Sequence, residues 1–533
     1  MRTGKDDSPR ASGADRRRSN LTAQTASGLR WSYVGTLALM VANLAYMAII
    51  SRLLDPVAFG LMALANLVVL FAQYFVRMGI ASALVQRPAL TRDEIRAAST
   101  AGLAVGLLCF GAIWLLTPLI SHLLRQPELS PVLRVLALSF IPEGWSMTGM
   151  GLLRREHRFR LLSIITAGTY VLGFLVVGVG LALLGAGVWS LVIAALVSNV
   201  SQAIWQYALL RHPVRPPLRA EPYREVCGYG MRLSGAHVMD YVGSNLDTLA
   251  VGRISGTAVL GQYSRGYQLI FQPLGYYLSQ ALTTVLFSSL SRIQQDTARL
   301  RKAYLSVLGL GTVFLFPVCA GMAVAASQLV LVILGPQWNL VAGLVPWFAL
   351  AGAFVVVSRF SQSVAEARAD LNRSMGVQGV YLAALAGFLA VAFLARSRGV
   401  WVFAAAVAAG ELVRLLGYLG LMRSLLRIAP AQLARSYGPA VLTSAIVGLA
   451  VAAAQRALVG VVPSAMVLLG EIAAGALALA LCLRFSPIPG VRRELRMRLE
   501  VAGALGAVGG LRWRLAPLVL GPHDRVPEAE GQL

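Results

Sequence analysis

Apolar stretches of roughly twenty residues recur from about Arg30 to Phe485, separated by short polar gaps, and about fourteen of them are long enough to cross a bilayer. The spans expected from this pattern are approximately 30–50, 57–77, 97–120, 132–153, 161–184, 186–210, 229–252, 257–284, 303–325, 340–362, 374–396, 400–422, 438–458 and 463–484. Each must be a helix, because in lipid only hydrogen bonding within the segment satisfies the backbone. No run of short alternating segments suggests a barrel. The fold class is therefore expected to be all-α and polytopic. Prolines inside or bordering the spans (Pro142, Pro273, Pro317 and Pro346) predict kinks or breaks. Abundant Gly and Ala allow helices to approach closely.

The polar gaps alternate in charge. Alternate gaps are rich in arginine, beginning with Arg87, Arg92 and Arg96, then Arg154, Arg155, Arg158 and Arg160, then Arg211, Arg215, Arg219 and Arg224. The series continues through Arg292, Arg299, Arg301 and Lys302, then Arg368 and Arg373, then Arg423, Arg427 and Arg435. The intervening gaps are short and carry only scattered arginines such as Arg52, Arg125, Arg253, Arg396, Arg398 and Arg456. By the positive-inside rule the rich gaps face the cytoplasm, and both termini are expected there with them. The localisation expected is therefore a membrane, crossed many times.

Composition agrees with this reading. A chain that is 57% hydrophobic and 13% charged, with a mean hydropathy of +0.68, is no ordinary soluble globule. Its net charge of +24 resides largely in loop arginines, whose usual work is topology and contact with anionic headgroups, so no nucleic-acid partner is expected. The four cysteines (Cys109, Cys227, Cys319 and Cys482) are far apart, with no metal-ligand spacing and no disulfide framework. The chain has no phosphate-binding loop, zinc motif or nucleophile elbow, so neither ATP hydrolysis nor a resident cofactor or metal is expected, and the protein is not expected to be an enzyme. The first 28 residues are polar and arginine-rich, with no signal-peptide pattern, and are expected to be a disordered cytoplasmic tail.

The chain also repeats. Arg52-Leu53-Leu54-Asp55-Pro56-Val57-Ala58-Phe59-Gly60 joins the first two spans, and Arg253-Ile254-Ser255-Gly256-Thr257-Ala258-Val259-Leu260-Gly261 joins the seventh and eighth. The offset is 201 residues (253 − 52), and arginine and glycine keep the same spacing. Six spans lie between the copies. An even number preserves orientation, so a parallel repeat is predicted, related by an axis along the membrane normal. The organisation expected is a tail over 1–28, an N-lobe of six spans over 29–210 and a cytoplasmic linker over 211–228. A C-lobe of six spans follows over 229–425, then two further spans over 426–485 and a cytoplasmic tail over 486–533. Two lobes around a central cleft suggest a transporter working by alternating access.

Several short segments resemble a known family. Arg52-Leu53-Leu54-Asp55-Pro56-Val57-Ala58-Phe59-Gly60-Leu61 resembles the turn between the first two spans of bacterial polysaccharide exporters, and Gly79-Ile80-Ala81-Ser82-Ala83-Leu84-Val85-Gln86-Arg87 the segment after it. Asn245-Leu246-Asp247-Thr248-Leu249-Ala250-Val251-Gly252, Leu260-Gly261-Gln262-Tyr263-Ser264 and Leu286-Phe287-Ser288-Ser289-Leu290-Ser291-Arg292-Ile293-Gln294 are similar to second-lobe signatures of the same group. Ser288 departs from it, where relatives often have proline. The chain is thereby identified with the oligosaccharide-lipid flippases of the multidrug/oligosaccharidyl-lipid/polysaccharide exporter superfamily, nearest the colanic-acid-exporter-like branch, over roughly 28–485. That resemblance implies transport of an undecaprenyl-pyrophosphate-linked oligosaccharide from the cytoplasmic to the periplasmic leaflet during exopolysaccharide, capsule or lipopolysaccharide O-antigen synthesis. It also implies membrane lipids as surroundings, and a polysaccharide polymerase and other assembly proteins as partners. Alternatives at this stage are a multidrug or cell-wall-precursor transporter of the same superfamily, or a membrane glycosyltransferase.

Ionisable groups within spans are the functional candidates, because charge there is costly. Arg265 and Arg359, with Arg232, are candidates for the pyrophosphate, since guanidinium makes bidentate, permanently charged contacts with phosphate oxygens. Gln262, Tyr263 and Tyr267 share part of a helical face that could present polar and aromatic groups to sugars. Asp240 and Asp247 stand two turns apart on one face and, with His237 and Glu143, are candidates for binding a coupling proton or cation. Asp247 has the alternative of holding its turn against Arg253. Glu411 and Arg414, at i and i+3, are expected to neutralise each other.

Overall fold

Helix is the only regular structure among the described residues of the computed structural model. These are residues 34–77, 81, 84–85, 90–211, 213, 221–271, 273, 296–368, 370–395 and 399–485, without the side chains of 77, 221–240, 310, 371 and 485. The expected tails (1–28 and 486–533), most of the 79–87 segment, the 286–294 segment and the side chains of Arg232, His237 and Asp240 lie outside that description.

In chain order the helices are α1 (Val34–Leu53), α2 (Pro56–Arg77), α3 (Arg92–Leu124), α4 (Leu129–Ala137), α5 (Phe140–Arg155), α6 (Phe159–Leu183) and α7 (Val188–Leu210). There follow α8 (Glu221–Phe271), α9 (Thr297–Val324), α10 (Ala326–Ile333), α11 (Asn339–Ala367) and α12 (Leu371–Leu394). The series ends with α13 (Trp401–Leu426), α14 (Pro430–Leu458) and α15 (Ser464–Phe485). Among the described residues, 11 helices are long and apolar enough to span a membrane. The expected span 132–153 appears as two helices, α4 and α5, and the expected spans near 229–252 and 257–284 enter the single element α8, whose backbone breaks at Gly256. Pro317 and Pro346 sit inside α9 and α11 without ending them. Neighbouring helices in a membrane protein can re-satisfy the carbonyls that such prolines free.

By contacts the chain divides into two compact units, Met1–Tyr46 with Ala65–Val238, and Met47–Leu64 with Met239–Leu533. The end of α1 and the start of α2 thus belong to the second unit, although both helices begin or finish in the first.

The first unit is held together by close backbone approach, as expected where lipid removes most of the hydrophobic drive between helices. The missing Cβ of Gly144 on α5 leaves room for the carbonyl of Gly102 on α3, and a Cβ at Gly106 would lie 2.5 Å from the Phe140 carbonyl. α6 contains a π-helical stretch, Val171–Gly178, and its Gly173 admits Ala194 and Ser198 of α7. Asn43 on α1 donates its side-chain N–H to the Tyr170 hydroxyl at 2.9 Å, beside a ring cluster of Tyr46, Tyr170 and Phe174.

In the second unit α9, α11 and α13 share a core of Leu300, Tyr304, Val357, Phe360, Leu415 and Tyr418. Two pairs of buried hydroxyls lie there. Tyr304 meets Ser361 at 2.9 Å, and Ser374 meets Tyr418 at 3.1 Å. The α14–α15 hairpin packs with α9 and α10 around Ala325, Val447, Val451, Leu468 and Ala478.

Candidate functional site

The site grows from the two turns that carry the repeated text. In the first, α1 ends at Leu53 and Asp55 opens α2, its carboxylate accepting the Ala58 N–H at 3.0 Å as a side-chain cap. In the second, Gly256 breaks α8 with φ 82° and ψ 171°, a backbone conformation essentially confined to glycine. The two resulting helical starts cross each other. A Cβ on Gly60 would run into the Thr257 carbonyl, and one on Gly261 into the Pro56 carbonyl. These four residues are equivalent in pairs under the 201-residue offset (60 + 201 and 56 + 201).

The carbonyls left over at the end of α1 find donors on the turn Pro336–Trp338. The Trp338 indole N–H donates to the Ser51 carbonyl at 2.8 Å, and the Gln337 amide donates to Ser51 at 2.5 Å and Leu54 at 3.0 Å. In return, Arg52 donates to the Val332 carbonyl near the end of α10 at 2.5 Å. Each helix end is thereby capped by the other's side chains, satisfying carbonyls that have no partner within their own helix. Trp338 is fully buried with its ring 5.3 Å from that of Phe59.

Arg265 lies against this crossing. Its guanidinium stands 3.7 Å over the Phe59 ring and donates to the Gln268 side-chain oxygen at 3.0 Å. Two residues earlier on α8, the buried Tyr263 donates its hydroxyl to Asp247 at 2.7 Å, and its ring meets Phe348 edge-on. The partner of Asp247 is thus Tyr263 rather than Arg253, which is exposed. Tyr267 stacks on Phe271 with ring centroids 4.1 Å apart.

A second charged group closes the cluster from α12 and α13. Glu411 and Arg414 form the ion pair their spacing implies, at 2.6 Å and almost wholly buried. Tyr381 donates to Glu411 at 3.1 Å and lies beneath the Arg414 guanidinium, 4.8 Å from its ring. Tyr267 feels the charges of Asp247, Glu411, Arg359 and Arg414, so the two groups form one electrostatic neighbourhood within the second unit. Removing one member of such a buried pair leaves the other uncompensated, at a cost of about 3–5 kcal/mol.

The residues singled out by sequence therefore have unequal freedom. Arg265 is buried and Arg359 exposed, while Tyr263 is committed to Asp247. Gln262 accepts the Leu340 N–H at 3.0 Å and so caps the start of α11. Glu143 is buried on α5, in the first unit. Sequence reasoning did not single out Gln337, Trp338 or Tyr381. The Gly335-Pro336 pair ahead of the first two marks a turn but gives no hint of its partners.

The chain is 24% identical over 371 residues to the lipopolysaccharide biosynthesis protein WzxC of Escherichia coli, covering 68% of this chain and 74% of the relative. It is 26% identical over 308 residues to the succinoglycan biosynthesis transport protein ExoT of Rhizobium meliloti, covering 58% and 62% respectively. In fold it resembles the lipid II flippase MurJ, with a TM-score of 0.65 at 12% identity over 84% of this chain and 97% of the other. It also resembles a multidrug resistance transporter of the MATE family, with a TM-score of 0.57 at 17% identity over 74% and 99%. The model of one family, described as polysaccharide biosynthesis protein, matches residues 49–343, which include both repeated turns, Asp247, Arg265 and Trp338. That match covers more than half of the chain, and the protein is a member of this polysaccharide biosynthesis family, built on an all-helical membrane-spanning fold.

Proposed function

We propose that this protein is a flippase of the bacterial inner membrane, moving undecaprenyl-pyrophosphate-linked oligosaccharide units from the cytoplasmic to the periplasmic leaflet for polysaccharide biosynthesis. The observation that carries the reading is the family match over 49–343, joined to relatives named for lipopolysaccharide biosynthesis and succinoglycan transport. Pyrophosphate and sugars cannot cross about 30 Å of hydrocarbon unaided, because desolvating them costs far more than thermal energy. The protein supplies a path in which cationic and hydrogen-bonding groups replace water while the prenyl tail stays in lipid. The two repeated halves alternate access to the two sides, both termini lie in the cytoplasm, and a polymerase and other assembly proteins receive the product.

Arg265 is the residue best suited to the pyrophosphate, supported by its burial and its seat on Phe59, with Arg359 as a second cation near Tyr267. Deleting the gene should accumulate complete lipid-linked repeat units on the cytoplasmic leaflet and abolish surface polysaccharide. Repeat units that reach the outer leaflet unpolymerised would indicate a polymerase instead, and unchanged polysaccharide with raised drug sensitivity would indicate drug export. Arg265→Ala should cut export at least tenfold while the protein still inserts, whereas Arg265→Lys should keep part of it. Normal export by Arg265→Ala, Arg359→Ala and the double variant would remove these residues from the site.

A further inference from the structure

The last helix among the described residues carries a carboxyl group that the neighbourhood around Arg265 does not use. Glu471 is the eighth residue of α15, about 10 Å along the helix from Ser464 at the α-helical rise. Its side chain is 1% exposed, and neither carboxyl oxygen has a hydrogen-bond partner among the described residues. Its companions on the same face are Val467, Leu468 and Ala478, all buried. On either side, Gly470 admits Leu458 of α14, and a Cβ at Gly475 would lie 3.2 Å from Val451. The two glycines let α14 close over the acid with apolar side chains.

The elements packed on α15 offer no described counter-charge. α14 has Arg456 at its end, exposed, and Arg435 and Tyr437 near its start. α9 has the buried Cys319, with Arg299, Arg301, Lys302 and Tyr304 in its first turns. α10 has no titratable residue, and α15 itself adds only Cys482 and Arg484 near its far end. No ion pair to Glu471 exists among the described residues. Both unmet atoms are carboxyl oxygens, which lack a donor or a positive charge. A bare carboxylate in that setting is strongly disfavoured, and the two remedies are a proton or a small hard cation held by oxygens.

We propose that Glu471, in the α14–α15 hairpin beyond the two repeated halves, is a membrane-embedded site that takes up and releases a single positive charge, either a proton or an alkali cation. The further step, that this exchange drives cargo movement, rests on the transport reading. The site itself does not.

Carbodiimide labelling of the purified full-length protein in liposomes tests the site directly, since dicyclohexylcarbodiimide reacts with protonated carboxyls in apolar surroundings. Modification mapped by mass spectrometry should appear at Glu471, decline as pH rises, vanish in Glu471→Gln and persist in Glu471→Asp. Protection by sodium chloride at fixed pH, absent with choline chloride, would identify a cation site; dependence on pH alone would identify a proton site. Absence of label at Glu471 at every pH, or label that responds to neither pH nor sodium, would overturn the proposal. Export in cells is the separate readout. Glu471→Gln should reduce it severalfold while expression and insertion stay normal. Responsive labelling with undiminished export would leave the site standing and sink its coupling role. A null deletion phenotype would sink the transport reading without touching the labelling result.

Discussion

The turns Arg52–Gly60 and Arg253–Gly261 share a spacing, yet they make their bends by different physical means. The first uses Asp55 as a side-chain cap and Pro56, whose fixed φ suits the first helical position. The second places Gly256 in a conformation open almost only to glycine and lets Thr257 start the helix. Their arginines have also parted. Arg52 caps the end of α10 through the Val332 carbonyl, while Arg253, equally exposed, makes no such bond among the described residues. What the copies keep in common is the glycine at the crossing, where each leaves room for the other's backbone. Side chains at a bend can be exchanged for one another, but the absence of a side chain at a backbone contact has no substitute.

This comparison can be broken most severely at the shared glycines. Gly60→Leu and Gly261→Leu should each abolish export and lower thermal stability in detergent, because the added side chain meets a carbonyl on the facing helix. Gly309→Ala, with open space around it, should behave as wild type. Equal export by all three would show that the close crossing is dispensable. Next in size is the cap on α1. Trp338→Ala should destabilise the second unit by about 3–5 kcal/mol through the lost buried ring. Trp338→Phe should cost only about 0.5–1.5 kcal/mol, the net share of one hydrogen bond, since Gln337 still donates to the Ser51 carbonyl. Denaturation midpoints of the pair separate packing from hydrogen bonding. The smallest effects sharpen the contrast between the two bends. Gly256→Ala should cost about 1–3 kcal/mol from backbone strain, and Asp55→Ala about 1 kcal/mol from the lost cap. Were Asp55→Ala the more damaging by unfolding, the assignment of glycine strain to the second turn would fail.

The buried acids teach a related lesson about legibility. The Glu411–Arg414 pair could be read directly, since residues three apart on a helix are neighbours whatever surrounds them. The bond from Tyr263 to Asp247 spans 16 residues across a break in α8, and no spacing rule reaches it. Sequence placed Glu471 inside a span, but its isolation depends on what α9, α10 and α14 fail to present. Gln262, which spacing put on a face suited to sugars, caps α11 instead, a partnership set 78 residues away.

The sequence by itself determined the class of this protein, its helical spans, its alternating arginine gaps and its family, because these follow from local hydropathy, backbone satisfaction in lipid and short contiguous motifs. Tertiary structure decided where the breaks in the helices fall and which polar groups are committed. It brought Trp338 to Ser51, Arg265 to Phe59 and equivalent glycines to one crossing. The reason is physical: a hydropathy pattern specifies that a helix enters the membrane and is nearly silent on which neighbour it meets, since lipid is as apolar as a packed side chain. Neighbours are chosen by shape and by the pairing of buried polar atoms, and both exist only once the helices are assembled.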